Sequence, residues 1–446
     1  MNVELLRELL AEKRYLELKS ALTHLPEIDI AEFIDELEEE RHVLIVFRLL
    51  SKEIAADVFS NLSVEKQTII CDLIQDEELE EILSDLYFDD MIDLLEEVPA
   101  YLVKRIMKHR GEKERRLINQ FLNYKENSAG SLMTIEFVDL HRDMTVQEAM
   151  MRIRRDAEDK ETIYTCYVID DARRLDGIVS LKDIVLAQPE DIIEDIMEDE
   201  FVFVTTDEDQ EEVADLFHRY DLLALPVVDR EKRLVGIITV DDIMDVLEEE
   251  STEDILVMGA VTPSTEPYME QGVWALAKKR APWLLILMIS ATLSGLIIRA
   301  FEATLATYVV LTAFVPMLMD TGGNAGSQSS TTVIRAITLG EIEFKDILKV
   351  VFKEMRVSLL VGLMLAGINF LRIVFLEHYS VSVALVVCGT LIFTVIFAKT
   401  LGGFLPLLAK KIGFDPALMA SPMITTIVDA VSLVIYFSMA TCILGL

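Results

Sequence analysis

From Pro416 to Leu446 the chain carries one charged side chain, Asp429, among apolar and small polar residues. A carboxylate near the middle of a bilayer span costs about 2.5–3.5 kcal/mol on insertion scales. Either it caps a broken helix or it binds a cation in a polar pathway. A second stretch, PMLMDTGGNAGSQSSTT, sets Gly322, Gly323 and Asn324 inside a segment with few charges. Such residues break or expose the backbone, which a membrane tolerates only where it lines a cavity or is buried in protein. The other reading is close helix packing through small residues. Carboxylate, amide and backbone oxygens are hard ligands, which Mg2+ prefers while keeping most of its waters. No His or Cys stands nearby in sequence, which disfavours Zn2+ and Cu+.

Acidic clusters recur outside these segments. Asp89 and Asp93, four apart in FDDMIDLLEE, share one helix face, and Asp57 sits among apolar residues in IAADVF. Like charges at that spacing repel unless a cation or a base lies between them. Glu248, Glu249, Glu250, Glu253 and Asp254 crowd another short length. A solvated face explains any one of these; a divalent ion lodged between acidic surfaces explains all three.

The net charge of −36 is unevenly divided. Residues 271–446 hold 13 basic and 9 acidic residues, a net of +4, which leaves −40 for residues 1–270. An acidic half repels nucleic-acid phosphates. The four cysteines are scattered, with no CxxC, as expected in a reducing compartment. The opening MNVELLRELLAEKRY predicts a charged amphipathic helix, neither a signal peptide nor an anchor.

Four kinds of element must position these groups. Residues 1–130 read as an all-α acidic domain, because segments such as HVLIVFRLL, QTIICDLI and MIDLLEEV are short, helix-periodic and separated by polar joints. Such a series predicts a superhelical stack. Next comes an α/β repeat: YVIDDARRLDGIVSLKDI from Tyr167 aligns with PVVDREKRLVGIITVDDI from Pro226, each reading strand, turn, strand, then a helix opened by a Ser/Thr-x-x-Asp cap. The pair resembles a tandem of CBS domains, 131–195 and 196–246. In that family the capped helix often receives the ribose and phosphates of an adenine nucleotide. The matching residues are Ser180, Lys182 and Asp183, or Thr239 and Asp242. An acidic connecting helix is expected over 247–272, broken by Pro263 and Pro267.

Residues 273–446 predict a five-helix transmembrane domain. Its uncharged runs are 281–298, the stretch from 303 past Asp320, 357–371, 379–398, and the segment around Asp429. Lys278–Arg280, Arg335, Lys345, Lys349, Lys353, Arg356, Lys410 and Lys411 fall on one side of that arrangement. The positive-inside rule then puts the acidic half in the cytoplasm and the C-terminus outside.

With TGGNAGSQSSTTVIRA and DPALMASPMITTIVDAVSLVIYF added to the CBS pair, the full length resembles the MgtE family of bacterial magnesium transporters and channels. The resemblance implies a homodimer in the bacterial inner membrane, with a Mg2+ pore lined by the second and fifth spans. Asp429 would be its pore carboxylate, with Thr425 one turn earlier; some relatives have Asn where Ser421 stands here. It further implies regulatory Mg2+ at Asp57, Asp89, Asp93, Asp221, Asp242, Asp245, Glu253 and Asp254, and tuning by ATP at the CBS pair. Cytoplasmic Mg2+ would then bridge acidic faces and shut the pore. The rival reading is a nucleotide-regulated anion channel, which a pore carboxylate opposes. No HExxH, GxSxG or paired-Asp motif supports an enzyme.

Overall fold

The computed structural model describes residues 3–264, 268–269 and 271–445. Pro267 and the side chain of Ser421 lie outside the described residues. The chain forms two compact units, Met1–Leu247 and Glu248–Leu446.

The first unit begins with helices α1 (Val3–Ala11), α2 (Tyr15–Leu22) and α3 (Glu27–Asp35). Seven more follow at a fixed step: α4 (Glu40–Leu49), α5 (Lys52–Ser60), α6 (Val64–Leu73), α7 (Asp76–Asp85), α8 (Phe88–Glu97), α9 (Ala100–His109) and α10 (Glu112–Phe121). Each starts 12 residues after the last. The residue before each is extended, as at Ser63 (ψ 148°) and Tyr87 (ψ 158°), which turns the chain before another helix begins. Helices this short are marginal alone in water, so packing must hold them. Phe33, Phe59, Ile70, Ile92 and Leu102 supply a shared core. Polar ties recur between residues 28–30 apart: Asp35 with Ser63 (2.6 Å), Arg48 with Glu78 (2.7 Å), Asp72 with Tyr101 (2.5 Å) and Asp76 with Arg105 (2.6 Å).

Short helix α11 (Ala129–Leu132) leads into two copies of one α/β motif. The first has β1 (Asp139–Leu140), α12 (Val146–Asp156), β2 (Thr165–Ile169), β3 (Leu175–Ser180), α13 (Leu181–Leu186) and α14 (Ile193–Ile196). The second has β4 (Val204–Thr205), α15 (Gln210–Tyr220), β5 (Ala224–Val228), β6 (Leu234–Thr239) and α16 (Val240–Met258). In each copy the first strand pairs parallel with the second, and the second antiparallel with the third. The hairpins share a bulge, at Val168/Ile169 and Val227/Val228, and a left-handed turn residue, Arg173 and Lys232, both at φ 63°. The expected strand, turn, strand and capped helix are present twice.

The acidic stretch from Glu248 belongs to α16 itself, continuous with the helix that ends the second copy. It stops at Met258, before Pro263, because Gly259 and Ala260 (φ 54°) leave the helical conformation. The expected helix to 272 is therefore corrected.

The second unit continues with α17 (Val273–Ala300), α18 (Glu302–Thr307), α19 (Val315–Thr338), α20 (Ile347–Leu371), α21 (Val381–Lys411) and α22 (Ser421–Leu444). Among the described residues, four stretches are long and apolar enough to cross a membrane: Val273–Ala300, Phe344–Leu376, Val381–Lys411 and Pro416–Leu444. Helix α19 has 24 residues but carries Asp320 and a polar run, and it is not one of the four. Helices α19, α20 and α22 all pack on α21, whose Ala384, Val387, Leu391, Val395 and Ala398 are buried.

Candidate functional site

Glycines bring α19 against α22. A Cβ added at Gly322 would lie 2.7 Å from Thr394 Cγ2 and 2.8 Å from Val428 Cγ1; at Gly323, 2.9 Å from Thr425 Cγ2; at Gly326, 2.5 Å from Ile424 Cγ2. Helix α19 is unbroken through this stretch. The expected break or exposure of its backbone is corrected: the space the glycines free is filled by α21 and α22, the close-packing alternative. Gly322 and Gly323 are buried. Thr425 and Asp429, one turn apart on α22, are half-buried. Asp429 Oδ1 is buried with no hydrogen-bond partner among the described residues, which is costly for a carboxylate unless a cation or water reaches it. Asp320 on α19 is the charged group nearest in influence to it. The sequence reading passed over Asp320, although it interrupts an uncharged run.

Asn324 is separated from this group. It is exposed and lines a polar cavity whose lining does not include Asp429.

In the first unit the helical domain and both motif copies contribute to one acidic region. Burial pushes the Asp89 carboxyl well up, and Asp242, Asp90 and Glu161 push it further. Asp90 is raised to about 6 by burial, then by Asp242, Asp57, Asp241 and Glu136. Asp93 rises to about 7 and Asp242 to about 6, burial leading in both; Thr239 hydrogen bonds oppose the rise at Asp242. Glu161 rises to about 8 through burial and then Asp241, Asp242, Asp90 and Glu136. Asp57 is raised by burial and Glu27. No basic side chain is among the causes at Asp89, Asp90, Asp93, Asp242 or Glu161. A region of half-buried and exposed carboxylates without a basic partner fits a hard cation by donor chemistry. Still, among the described residues no three His, Cys, Asp or Glu side chains converge closely enough to hold a metal.

Asp90, Glu136, Glu161 and Asp241 are members the sequence reading missed. Asp90 and Asp241 each adjoin a residue that was marked; Glu136 and Glu161 lie in unpatterned loops. Asp245 bears on Asp242. Asp221 stands apart as the left-handed C-cap of α15 (φ 52°). In the second unit Glu253 and Asp254 face Asp415, and burial followed by Asp415 raises Asp254 to about 6. Arg335 pulls the other way.

The two capped helices share a hydroxyl-to-carboxylate contact. Asp183 N–H donates to Ser180 Oγ (3.1 Å), and Ser180 Oγ donates to Asp183 Oδ2. In the second copy Thr239 Oγ1 donates to Asp242 Oδ2 (2.7 Å). Lys182 is exposed beside the first cap. Asp242 therefore caps a helix and also faces Asp89.

Comparison with known proteins agrees with this architecture. A family model described as a divalent cation transporter matches residues 315–439. Models of the MgtE intracellular N domain and of CBS domains match 25–127, and 129–190 and 193–249. The magnesium transporter MgtE of Thermus thermophilus is 40% identical over 444 residues, covering 98% of each chain. That of Bacillus subtilis is 32% identical over 437 residues, 97% of this chain and 95% of its own. The solved cytosolic domain of the Mg2+ channel MgtE in complex with ATP is 42% identical, covering 54% of this chain and 98% of its own, with a TM-score of 0.51. The soluble part of a magnesium transporter is 30% identical, covering 56% and 98%, with a TM-score of 0.52. A helical acidic domain, a CBS pair and a helical unit with apolar spans, in a chain so similar to these transporters, thus define a membrane transporter, not an enzyme. The chain belongs to the MgtE family.

Proposed function

We propose that this chain conducts Mg2+ into the bacterial cytoplasm through a pore beside α19 and α22 and closes when cytoplasmic Mg2+ is plentiful. One observation carries the reading: a buried Asp429 oxygen without a partner, held in an apolar helix by close packing against the α19 glycines. Mg2+ is the substrate there, kept largely hydrated. Two copies of Asp429 match its double charge, which supports a homodimer with the pore between subunits. Helix α19 is the second of the five spans in this reading, shielded by α21 and α22. The acidic half lies in the cytoplasm, the C-terminus outside, and the potential drives entry by about 2.3 kcal/mol per charge per 100 mV.

The 12-residue helix step and the ties 28–30 residues apart support a superhelical helical domain. The proposed domains are 1–130, 131–195, 196–246, a connecting segment 247–272 whose acidic helix ends at Met258, and 273–446. Regulatory Mg2+ would be held by Asp57, Asp89, Asp93 and Asp242 in the first unit, with Asp221 and Asp245, and by Glu253 and Asp254 in the second. It supplies positive charge between carboxylates that otherwise repel, so it favours the compact, closed arrangement; only such differential binding can shift the gate. ATP would sit at Ser180, Lys182 and Asp183, its phosphates meeting Lys182. The likeness to an ATP-bound relative supports that placement.

The test is dye-reported Mg2+ entry into proteoliposomes. Asp429→Asn should reduce flux at least about tenfold, the effect of losing a charged ligand. Unchanged Mg2+ flux would overturn the pore assignment. Chloride flux that survives the substitution would favour an anion channel.

A further inference from the structure

We infer that the polar cavity walled by α19, α20 and α21 is a site for the phosphoethanolamine head group of a membrane lipid. The cavity measures about 860 Å³ and is lined by Asn324, Gln328, Thr331, Glu354 and Lys399 among others. Lys399 is 6% exposed. Its ammonium has three donors, and its one hydrogen bond is long, 3.5 Å to Gln328 Oε1. Among the described residues no carboxylate lies within 4.0 Å of it. A buried ammonium without an acid partner calls for an anionic acceptor.

Glu354 provides the opposite charge on the facing wall. Its carboxylate accepts from Ser329 Oγ. Its stem packs on Gly403, one turn from Lys399 along α21, where a Cβ would stand 3.0 Å from Glu354 Cγ. One cation and one carboxylate, with no salt bridge between them among the described residues, line a single polar space. A ligand that satisfies both carries a phosphate for Lys399 and a primary ammonium for Glu354. The depth agrees. Arg356 opens the uncharged run of α20 and Lys399 closes the first uncharged run of α21, so both walls of the cavity adjoin a charge at the edge of an apolar run. The inference rests on the membrane reading of the second unit and not on ion passage.

Native mass spectrometry of the full chain, in detergent with defined lipids added, reads this directly. Phosphatidylethanolamine should be retained about tenfold over phosphatidylcholine, whose quaternary ammonium has no N–H to donate to Glu354. Lys399→Gln should abolish that retention, and Glu354→Gln should equalise phosphatidylethanolamine and phosphatidylglycerol. Equal retention of all three lipids by the native chain, or retention indifferent to both substitutions, overturns the inference. Displacement of the lipid by millimolar inorganic phosphate would assign the cavity to free phosphate instead and overturn it too. Should either variant misfold, the native chain still decides: phosphatidylethanolamine must raise its thermal midpoint and phosphatidylcholine must not. Mg2+ flux plays no part in these readouts, so failure of the pore reading leaves them interpretable.

Discussion

A lone carboxylate in an apolar helix either earns its place through structure or through a ligand, and Asp429 can be made to tell which. A structural cap should lose stability when replaced. A buried oxygen without a partner should not, so Asp429→Asn is expected to lower flux while leaving the thermal midpoint in detergent unchanged or higher. The acidic region yields a second prediction. Free carboxylates titrate near about 4, while Asp90, Asp93, Asp242 and Glu161 here sit at about 6, 7, 6 and 8. The folded chain thus holds more protons than the unfolded one between about pH 4 and pH 8, so stability falls as pH rises through that window. With chelator present the melting midpoint should be lower at pH 8 than at pH 5.5, and Mg2+ should remove most of the fall. A midpoint that climbs with pH would refute the unpartnered cluster. Asp429 was legible in sequence because no other charge surrounds it. Glu161 was not, since no periodicity marks a loop residue that only the fold carries to Asp242.

Among the elements, the helix pair α19–α22 is governed by the glycines. The sequence signalled their unusual setting but left open whether they break the helix or let it pack. Only the facing residues decide, and Ile424, Thr425 and Val428 come from a helix about a hundred positions away. The α19–α21 contact depends on a glycine in the same way: at Gly402→Ala the Cβ would meet the Gly326 carbonyl oxygen, a backbone atom that cannot swing aside. The substitution should destabilise by about 1–3 kcal/mol, the usual cost of overpacking, read as a lower melting midpoint. In the helical domain, individual helices were readable from their apolar periodicity. The 12-residue step and its ties were not, since they join residues whose pairing depends on how the helices stack. Arg105 makes one of these ties, to Asp76, and also donates to the Cys71 and Ile74 carbonyls. Arg105→Ala should cost about 1–3 kcal/mol in chemical denaturation, because buried acceptors lose a charged donor.

At the scale of the whole molecule, the division of charge carries the functional idea: an acidic half that a divalent cation can compact, joined to an apolar half in which one carboxylate meets the ion. The repeat and the apolar runs made that division visible in sequence. Helix α19 shows where composition stops short, since by its own hydropathy it falls outside the apolar spans. Its polar residues cost little if the neighbouring helices and an aqueous path receive them. The most direct measurement is single-channel or flux recording from reconstituted native chain and an Asp89→Asn/Asp242→Asn variant, with Mg2+ varied on the cytoplasmic face alone. The native chain should close as cytoplasmic Mg2+ rises into the millimolar range, while the variant stays open at concentrations about tenfold higher. If both close at the same Mg2+, or neither responds, the acidic region is not the gate's sensor.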